Sequence, residues 1–201
     1  DEMRAYGRGI RRRLAPMLAG DDTRIAMAHA LLMSLPGAPV LLYGDEIGMG
    51  EELSRPERFS VRTPMQWSDA QNGGFSEADA DQLVAPLVQD EDFGPTTRNV
   101  YAMSQGEETL LSKVGNLART RSGSREIGGT CRVLDTSGEA VLALLHEVDD
   151  RQLVTAVTTE VLKGVGRSAR INWMTGAGLV SGVGLLVVLV PWGLPGVGLA
   201  V

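Results

Sequence analysis

The stretch Pro39-Val40-Leu41-Leu42-Tyr43-Gly44-Asp45-Glu46-Ile47-Gly48 decides the fold class of this chain. Residues 39–43 are nearly all apolar and partly β-branched, which is typical of a strand that is buried on both faces in a parallel sheet. An acidic loop follows at once, and in barrels of eight α/β units the loops after the strands carry function. The pattern therefore predicts an α/β unit. It leaves Asp45 and Glu46 either as site residues or as carboxylates that only bond loop backbone.

A helix precedes this predicted strand. Asp21 or Asp22 can cap it by accepting backbone N–H bonds, and Pro36-Gly37 ends it. Its predicted buried face consists of four apolar residues at helical spacing: Ile25, Ala28, Leu31 and Leu32. His29 has no second ligand one helical turn further on, so we interpret it as a structural residue. Residues 9–18 predict an earlier helical segment, which Pro16 breaks.

Residues 50–82, after the strand, are polar and glycine-rich, which is typical of a functional loop or a linker. Arg62 offers a planar fork of donors that suits a carboxylate or sugar hydroxyls. Trp67 offers a flat apolar face on which a sugar ring can stack. The alternative interpretation is a loop that one buried tryptophan pins in place.

The remaining periodic segments predict one more helix and then an antiparallel sheet. Ser104 and Glu107 have the spacing of a capping box, and residues 110–118 carry an apolar helical stripe. Short β-like runs follow at three places: residues 131–134, 140–145 and 153–157. Turn residues separate these runs, which predicts a hairpin or meander. We interpret His146, at a strand end, as a surface residue.

Charge and cysteine content exclude several classes of protein. The 201-residue chain has a formal net charge of -6, and a nucleic-acid-binding protein would need a basic face that this composition does not offer. The cluster Arg11-Arg12-Arg13 is the exception, and we interpret it as a solvated helix face with some carboxylate pairing. Cys131 is the single cysteine and has no metal-ligand spacing around it. We therefore predict a packed thiol, no intrachain disulfide and no metal site.

Residues 171–201 carry no charge and are dominated by Gly, Val and Leu. The part from 179 to 201 is long enough to cross a bilayer, which needs about 20 apolar residues. Pro191, Pro195 and many glycines nevertheless make it a poor helix. Three interpretations stay open. We favour an abnormal or disordered terminus, such as an out-of-frame translation, over a membrane span or a pair of buried strands.

Four sequence motifs stand in order and at natural spacing. They are residues 6–18, residues 34–50 with Gly-Asp-Glu-Ile-Gly-Met-Gly, residues 61–76 with Arg-Thr-Pro-Met-Gln-Trp and Asn-Gly-Gly-Phe-Ser, and residues 132–136 with 140–144. Together they resemble glycoside hydrolase family 13, the α-amylase family, and within it most of all the trehalose synthases. The resemblance implies an α/β fold: the carboxy-terminal part of a (β/α)8 TIM barrel (1–124), with strand eight at 39–43. The start of an antiparallel β-domain (125–160) follows, and then a tail of uncertain structure (161–201).

The resemblance also implies a retaining mechanism, in which an Asp attacks the anomeric carbon and a Glu serves first as acid and then as base. The family's acids lie before the segment that matches residue 1, so no catalytic residue is implied here. A substrate-binding wall of six residues is implied instead: Arg62, Gln66, Trp67, Gly44, Asp45 and Glu46. The implied ligands are maltose, trehalose and glucose, and no cofactor, metal or nucleic acid is expected.

The implied function is a fragment of a cytoplasmic enzyme that interconverts maltose and trehalose by retaining intramolecular glucosyl transfer. One alternative is a fragment of an α-glucosidase that hydrolyses small α-glucosides. Another is a non-catalytic module that is anchored to a membrane through residues 179–201. Because part of a barrel exposes strand edges and apolar surface, we expect the isolated chain to fold poorly and to lack activity.

Overall fold

A computed structural model describes residues 9–136, 141–158, 177–179 and 185–190. Backbone contacts divide these residues into two compact units. The first unit contains the described residues up to Ile25 and residues 40–115. The second contains residues 26–39 and the described residues from Asn116 onward. Each unit is described by itself below.

The first unit is built from short helices and turns around a small apolar core. The helices are α1 (Leu14–Met17), the start of α2 (Asp22–Ser34), α3 (Val100–Ser104) and the start of α4 (Leu110–Gly123). Single 3-10 turns connect them at Asp45–Ile47, Glu57–Val61, Gln71–Gly74 and Ala80–Gln82. The core consists of Ile47, Met49, Met65 and Val88, against which Val100, Met103 and Leu111 pack.

The predicted strand at 39–43 does not form. These residues have no ladder partner and belong to no strand, and Val40 is 84% exposed rather than buried. A parallel strand is completed only by hydrogen bonds to neighbouring strands, and the described residues from 9 to 129 contain no strand. The prediction was wrong for this chain because an apolar run specifies a buried strand only where neighbours cover it.

Helix α2 begins where the sequence predicts but buries another face. The Asp21 carboxylate accepts hydrogen bonds from the backbone N–H groups of residues 23 and 24, at 3.0 and 3.1 Å, so the predicted cap is confirmed. Leu31, expected in the core, is 37% exposed. The buried positions recur every four residues instead: Ile25, Ala26, His29, Ala30, Met33 and Ser34. His29 is thus a buried residue of this helix, as a structural role requires.

Helices α3 and α4 each have a side-chain cap, but neither cap is the predicted capping box. Asn99 accepts a hydrogen bond from the N–H of residue 102 at 2.8 Å and caps α3. Thr109 accepts one from the N–H of Ser112 at 3.3 Å and precedes α4. Ser104 ends α3 and donates its hydroxyl to the carbonyl of residue 101. The box was misassigned because two helices, not one, occupy this stretch. The predicted apolar stripe of α4 is confirmed, with these residues buried: Leu110, Val114 and Leu117.

The arginine cluster is not a solvated helix face. Its residues precede α1, and Arg13 is 1% exposed. Arg12 pairs with Glu51, and Arg13 pairs with Asp45 at 3.0 Å. The predicted carboxylate pairing is therefore confirmed, whereas the predicted solvation of the cluster was wrong because long-range partners enclose Arg13.

The second unit contains an antiparallel sheet, which confirms the predicted meander. Its strands are β1 (Thr130–Leu134), β2 (Val141–Val148), β3 (Arg151–Thr158), β4 (Ala177–Leu179) and β5 (Leu185–Val190), in the spatial order β1-β2-β3-β5-β4. Asp149, with φ of 51°, turns the chain between β2 and β3. Of the apolar tail, only β4 and β5 lie within the described residues. No helix in the described part of the chain is both long enough and apolar enough to span a bilayer.

His146 lies inside the second unit and not on its surface. It is 0% exposed, and its Nε2 lies 3.3 Å from the Thr155 hydroxyl on β3. Burial, reinforced by the positive charge of Arg121, lowers the pKa of His146 from its ordinary value of 6.5. The surface prediction failed because β2 lies inside the sheet and residues distant along the chain, Ser34 and Arg121, lie near the His146 ring.

Candidate functional site

A hollow of about 750 Å³ lies in the first unit. The following residues line it: Tyr43, Glu46, Arg62, Thr63, Pro64, Met65, Trp67, Phe75, Ser76, Ala78, Gln82, Leu83, Val84 and Ala85. Glu46 and Arg62 are the charged members of this set. The hollow therefore combines one anionic and one cationic side chain with a largely apolar wall.

Arg62 presents a free cation to the hollow. Its side chain is exposed, and within the described residues its guanidinium has no hydrogen bond or ion pair. Its backbone is held in contrast, because Arg55 donates to the Arg62 carbonyl at 2.6 Å. A fixed backbone with an unoccupied fork of donors is suited to binding an oxygen-rich ligand.

Glu46 lies in the turn Asp45–Ile47, between two glycines with left-handed backbone. Gly44 has φ of 88°, and a Cβ at this position would lie 2.6 Å from the Met49 sulfur. Only glycine satisfies both constraints. The turn therefore depends on Gly44 to bring Glu46 to the rim of the hollow.

Of the six residues in the expected binding wall, Glu46, Arg62 and Trp67 line the hollow, and the others do not. Gly44 is buried and begins the turn, and Asp45 is paired with Arg13. Gln66 is 0% exposed, and its amide donates to the backbone carbonyls of residues 93 and 98. These three residues shape the loops around the hollow.

Three aromatic residues with exposed side chains line the hollow, Tyr43, Trp67 and Phe75, and two of them, Tyr43 and Phe75, were not among the expected wall residues. Trp67 is 50% exposed, which excludes the interpretation of a loop pinned by a buried tryptophan, and Phe75 is 54% exposed. The backbone N–H of Trp67 donates to the Gly73 carbonyl at 2.7 Å. Asn72, with φ of 53°, donates its amide to the carbonyls of residues 76 and 78. The sequence signal that could have identified Phe75 as a wall residue is its position directly after Gly73 and Gly74.

Thr63 adds a buried polar group to the lining. The residue is 2% exposed, and within the described part of the chain its hydroxyl has no hydrogen-bond partner. A buried hydroxyl of this kind is a ready donor or acceptor for a ligand. Tyr43, 45% exposed, donates its own hydroxyl to the Thr63 carbonyl at 2.7 Å.

The lining offers hydrogen-bonding groups, an apolar wall and one carboxylate, that of Glu46. Glycoside hydrolysis with retention needs two carboxyl groups about 5–5.5 Å apart, and the lining contains one, Glu46. The described residues contain no cluster of three His, Cys, Asp or Glu side chains that could hold a metal ion. Outside the lining, a hydrogen bond from the Ser54 hydroxyl lowers the pKa of Glu52.

Comparisons with known proteins agree on one family. Residues 11–127 match the α-amylase catalytic domain. Trehalose synthase/amylase TreS from Mycolicibacterium smegmatis is 43% identical over 163 residues, covering 81% of this chain and 28% of the relative. Trehalose synthase from Pimelobacter sp. is 43% identical over 141 residues, covering 70% of this chain and 25% of the relative. The chain thus spans about a quarter of the length of these curated relatives.

Solved structures show the same fold at lower sequence identity. The trehalulose synthase MutB from Pseudomonas mesoacidophila MX-45 is 19% identical, with a TM-score of 0.57, over 73% of this chain and 33% of that protein. A mutant of MutB has been solved in complex with glucose. The likeness shows that the chain has the fold of part of a barrel enzyme of this type.

Proposed function

The chain belongs to the α-amylase catalytic-domain family, and from that premise we propose that the hollow around Arg62 forms one wall of a glucose-binding site. The observation that carries the proposal is the free Arg62 guanidinium, which faces the hollow beside the exposed ring of Trp67. Sugars are recognised by such a pair, because hydroxyl oxygens accept from the guanidinium fork while the ring face stacks on indole.

We propose that the reaction of the complete enzyme is the interconversion of maltose and trehalose by retaining intramolecular glucosyl transfer. Relatives that are 43% identical carry the name trehalose synthase, which supports this reaction. The single carboxylate of the hollow, Glu46, is insufficient for the two-carboxylate mechanism. We therefore assign no catalytic residue to this chain and place the nucleophile and the acid in other parts of the enzyme.

The proposed roles follow from the placement of each side chain. Arg62 binds hydroxyls of the non-reducing glucose and closes the pocket around it. Trp67 supplies a stacking face, and Glu46 accepts hydrogen bonds from sugar hydroxyls at the rim. Gln66 and Asp45 support these residues from the loops behind the hollow.

The proposed domain organisation places the site at the end of a barrel. We propose that residues 1–124 supply the last barrel units. The sheet that begins at Thr130 would then be the start of the carboxy-terminal β-domain. The exposed side chains of Val40 and Tyr43 support this proposal, because exposed apolar surface of this kind is stabilised when a neighbouring element covers it.

Tryptophan fluorescence of the 201-residue protein tests the sugar site directly. We expect maltose and trehalose to change the emission with millimolar affinity and the β-linked disaccharide cellobiose to leave it unchanged. Arg62→Ala should abolish the response, whereas Arg58→Ala, which alters an exposed arginine outside the lining, should preserve it. A wild-type protein that gives no maltose response, or that responds equally to cellobiose, contradicts the proposal.

A complete relative tests the reaction. At the position that aligns with Arg62, substitution by Ala should weaken glucose binding and raise hydrolysis relative to transfer, since the pocket no longer encloses the released glucose. Unchanged maltose turnover and an unchanged ratio of trehalose to glucose would show that Arg62 has another role. The same assay distinguishes this reaction from that of a hydrolytic α-glucosidase. The word amylase in the name of one relative, trehalose synthase/amylase, favours the hydrolytic alternative. That enzyme would release glucose and form no trehalose.

A further inference from the structure

Arg13 is a buried residue that contacts the chain segments of both charged residues of the hollow, Glu46 and Arg62. Its side chain is 0% exposed. Nη1 donates to the Asp45 carboxylate at 3.0 Å, and Nη2 donates to the Val61 carbonyl at 2.8 Å. Glu46 and Arg62 are the residues that directly follow Asp45 and Val61. One guanidinium therefore joins the two segments that carry the charges of the hollow.

Side chains bind the backbone carbonyls around Arg62. Residues 62–68 belong to no helix or strand. The consecutive carbonyls 61–63 each accept a hydrogen bond from a side chain: Arg13 bonds the first, Arg55 the second and Tyr43 the third. Arg13 also donates to the Tyr43 carbonyl at 2.8 Å and lies 5.3 Å from the centroid of its ring. It thus fixes the residue that supplies the third bond.

Arg13 is itself held in place by a buried carboxylate. Glu51 is 8% exposed and accepts a hydrogen bond from the Arg13 backbone N–H at 2.9 Å. The same carboxylate pairs with the guanidinium of Arg12. Both the backbone and the side chain of Arg13 are therefore fixed before any ligand binds, which is the condition for a preorganised site.

We infer that Arg13 is a positioning residue that sets the separation of Glu46 and Arg62 and thereby the width of the sugar site. The inference rests on the proposed function of the hollow. The planar guanidinium donates from two separate nitrogens, Nη1 to Asp45 and Nη2 to Val61, whereas a lysine has its donors on a single nitrogen. A lysine at this position keeps the charge but reaches one of the two segments.

Hydrogen–deuterium exchange of the 201-residue protein tests this role without a ligand. The variant is Arg13→Lys, and the matched control is Arg98→Lys. Arg98 also pairs with a carboxylate, Asp22 at 2.7 Å, and donates to the carbonyl of Gly20, but its side chain makes no hydrogen bond to residues 61–63. Both variants lose a guanidinium that pairs with a carboxylate, one from a buried and one from a part-buried side chain, so the control shows what the loss of such a pair does elsewhere in the unit.

We expect Arg13→Lys to accelerate exchange in residues 57–65 about tenfold, as the loss of hydrogen bonds to a charged group allows, while Arg98→Lys leaves that segment within about twofold of wild type. Maltose affinity should fall about tenfold in the first variant only. Equal effects of the two variants on residues 57–65, or no effect of Arg13→Lys there, would overturn the inference.

Asp45→Asn keeps the test decisive if Arg13→Lys does not fold. This exchange weakens the charged contact between the Arg13 guanidinium and the segment that carries Glu46, and Asp45 itself does not line the hollow. It should accelerate exchange in residues 44–48 and weaken maltose binding, and unchanged values of both overturn the inference. If exchange responds as expected but wild-type protein binds no maltose, the sugar assignment fails and the positioning of Arg62 by Arg13 stands.

Discussion

Replacing Gly44 by alanine, in the first unit, should destabilise the protein more than the same change at Gly37, in the second. Both glycines have left-handed backbone, with φ of 88° and 94°. A Cβ on Gly44 would lie 2.6 Å from the sulfur and 3.1 Å from the Cβ of Met49, whereas a Cβ on Gly37 would meet nothing within 4 Å. The two positions therefore share the backbone cost and differ in the steric cost.

The magnitudes follow from these distances. A left-handed backbone costs an L-residue about 1–2 kcal/mol, and overpacking a buried contact costs about 1–3 kcal/mol more. The gain from a stiffer unfolded chain, about 0.4–1 kcal/mol, is common to both variants and cancels in the comparison. We therefore expect Gly44→Ala to lower the free energy of unfolding by about 1–3 kcal/mol more than Gly37→Ala.

Urea denaturation followed by circular dichroism measures this difference. Met49→Leu, which removes the sulfur but keeps an apolar side chain, should recover part of the loss when combined with Gly44→Ala, because the two residues are in contact. Equal destabilisation by the two glycine variants would refute the reasoning, since it would leave no steric cost at Gly44. In that case the turn would not depend on close packing to present Glu46 at the hollow.

Two further predictions concern residues whose burial differed from the sequence-based expectation. Val40→Thr should change the free energy of unfolding by less than about 0.5 kcal/mol, because Val40 is 84% exposed. Val114→Thr, at a buried site, should lower that free energy by about 1–3 kcal/mol. Similar losses in the two variants would show that Val40 is buried after all. The pKa of His146 is lower in the folded protein than in the unfolded chain, so the unfolded chain binds the proton more tightly. The contribution of the neutral His146 ring to stability is therefore complete above the ordinary pKa of 6.5 and is lost as pH falls from there toward the folded pKa. The urea midpoint should therefore drop on acidification through that range in wild type and less in His146→Gln; equal drops would contradict the prediction.

Local chemistry allowed the sequence to determine much of the fold. The Asp21 cap, the apolar stripe of α4 and the strands between residues 130 and 158 all form where short-range patterns place them. Each depends on neighbours within a few positions along the chain. The motif around Arg62 likewise identified the family, because its residues are contiguous.

Tertiary structure alone decided which polar residues are buried and which apolar ones are not. Arg13 is enclosed by partners 30 to 48 positions away, and His146 lies near Ser34 and Arg121, which are distant along the chain. Val40 is exposed because no strand within the described residues covers it. The physical reason is the same in each case. Burial depends on what the rest of the chain places against a residue, and a charged group stays buried only where distant oxygen atoms satisfy it.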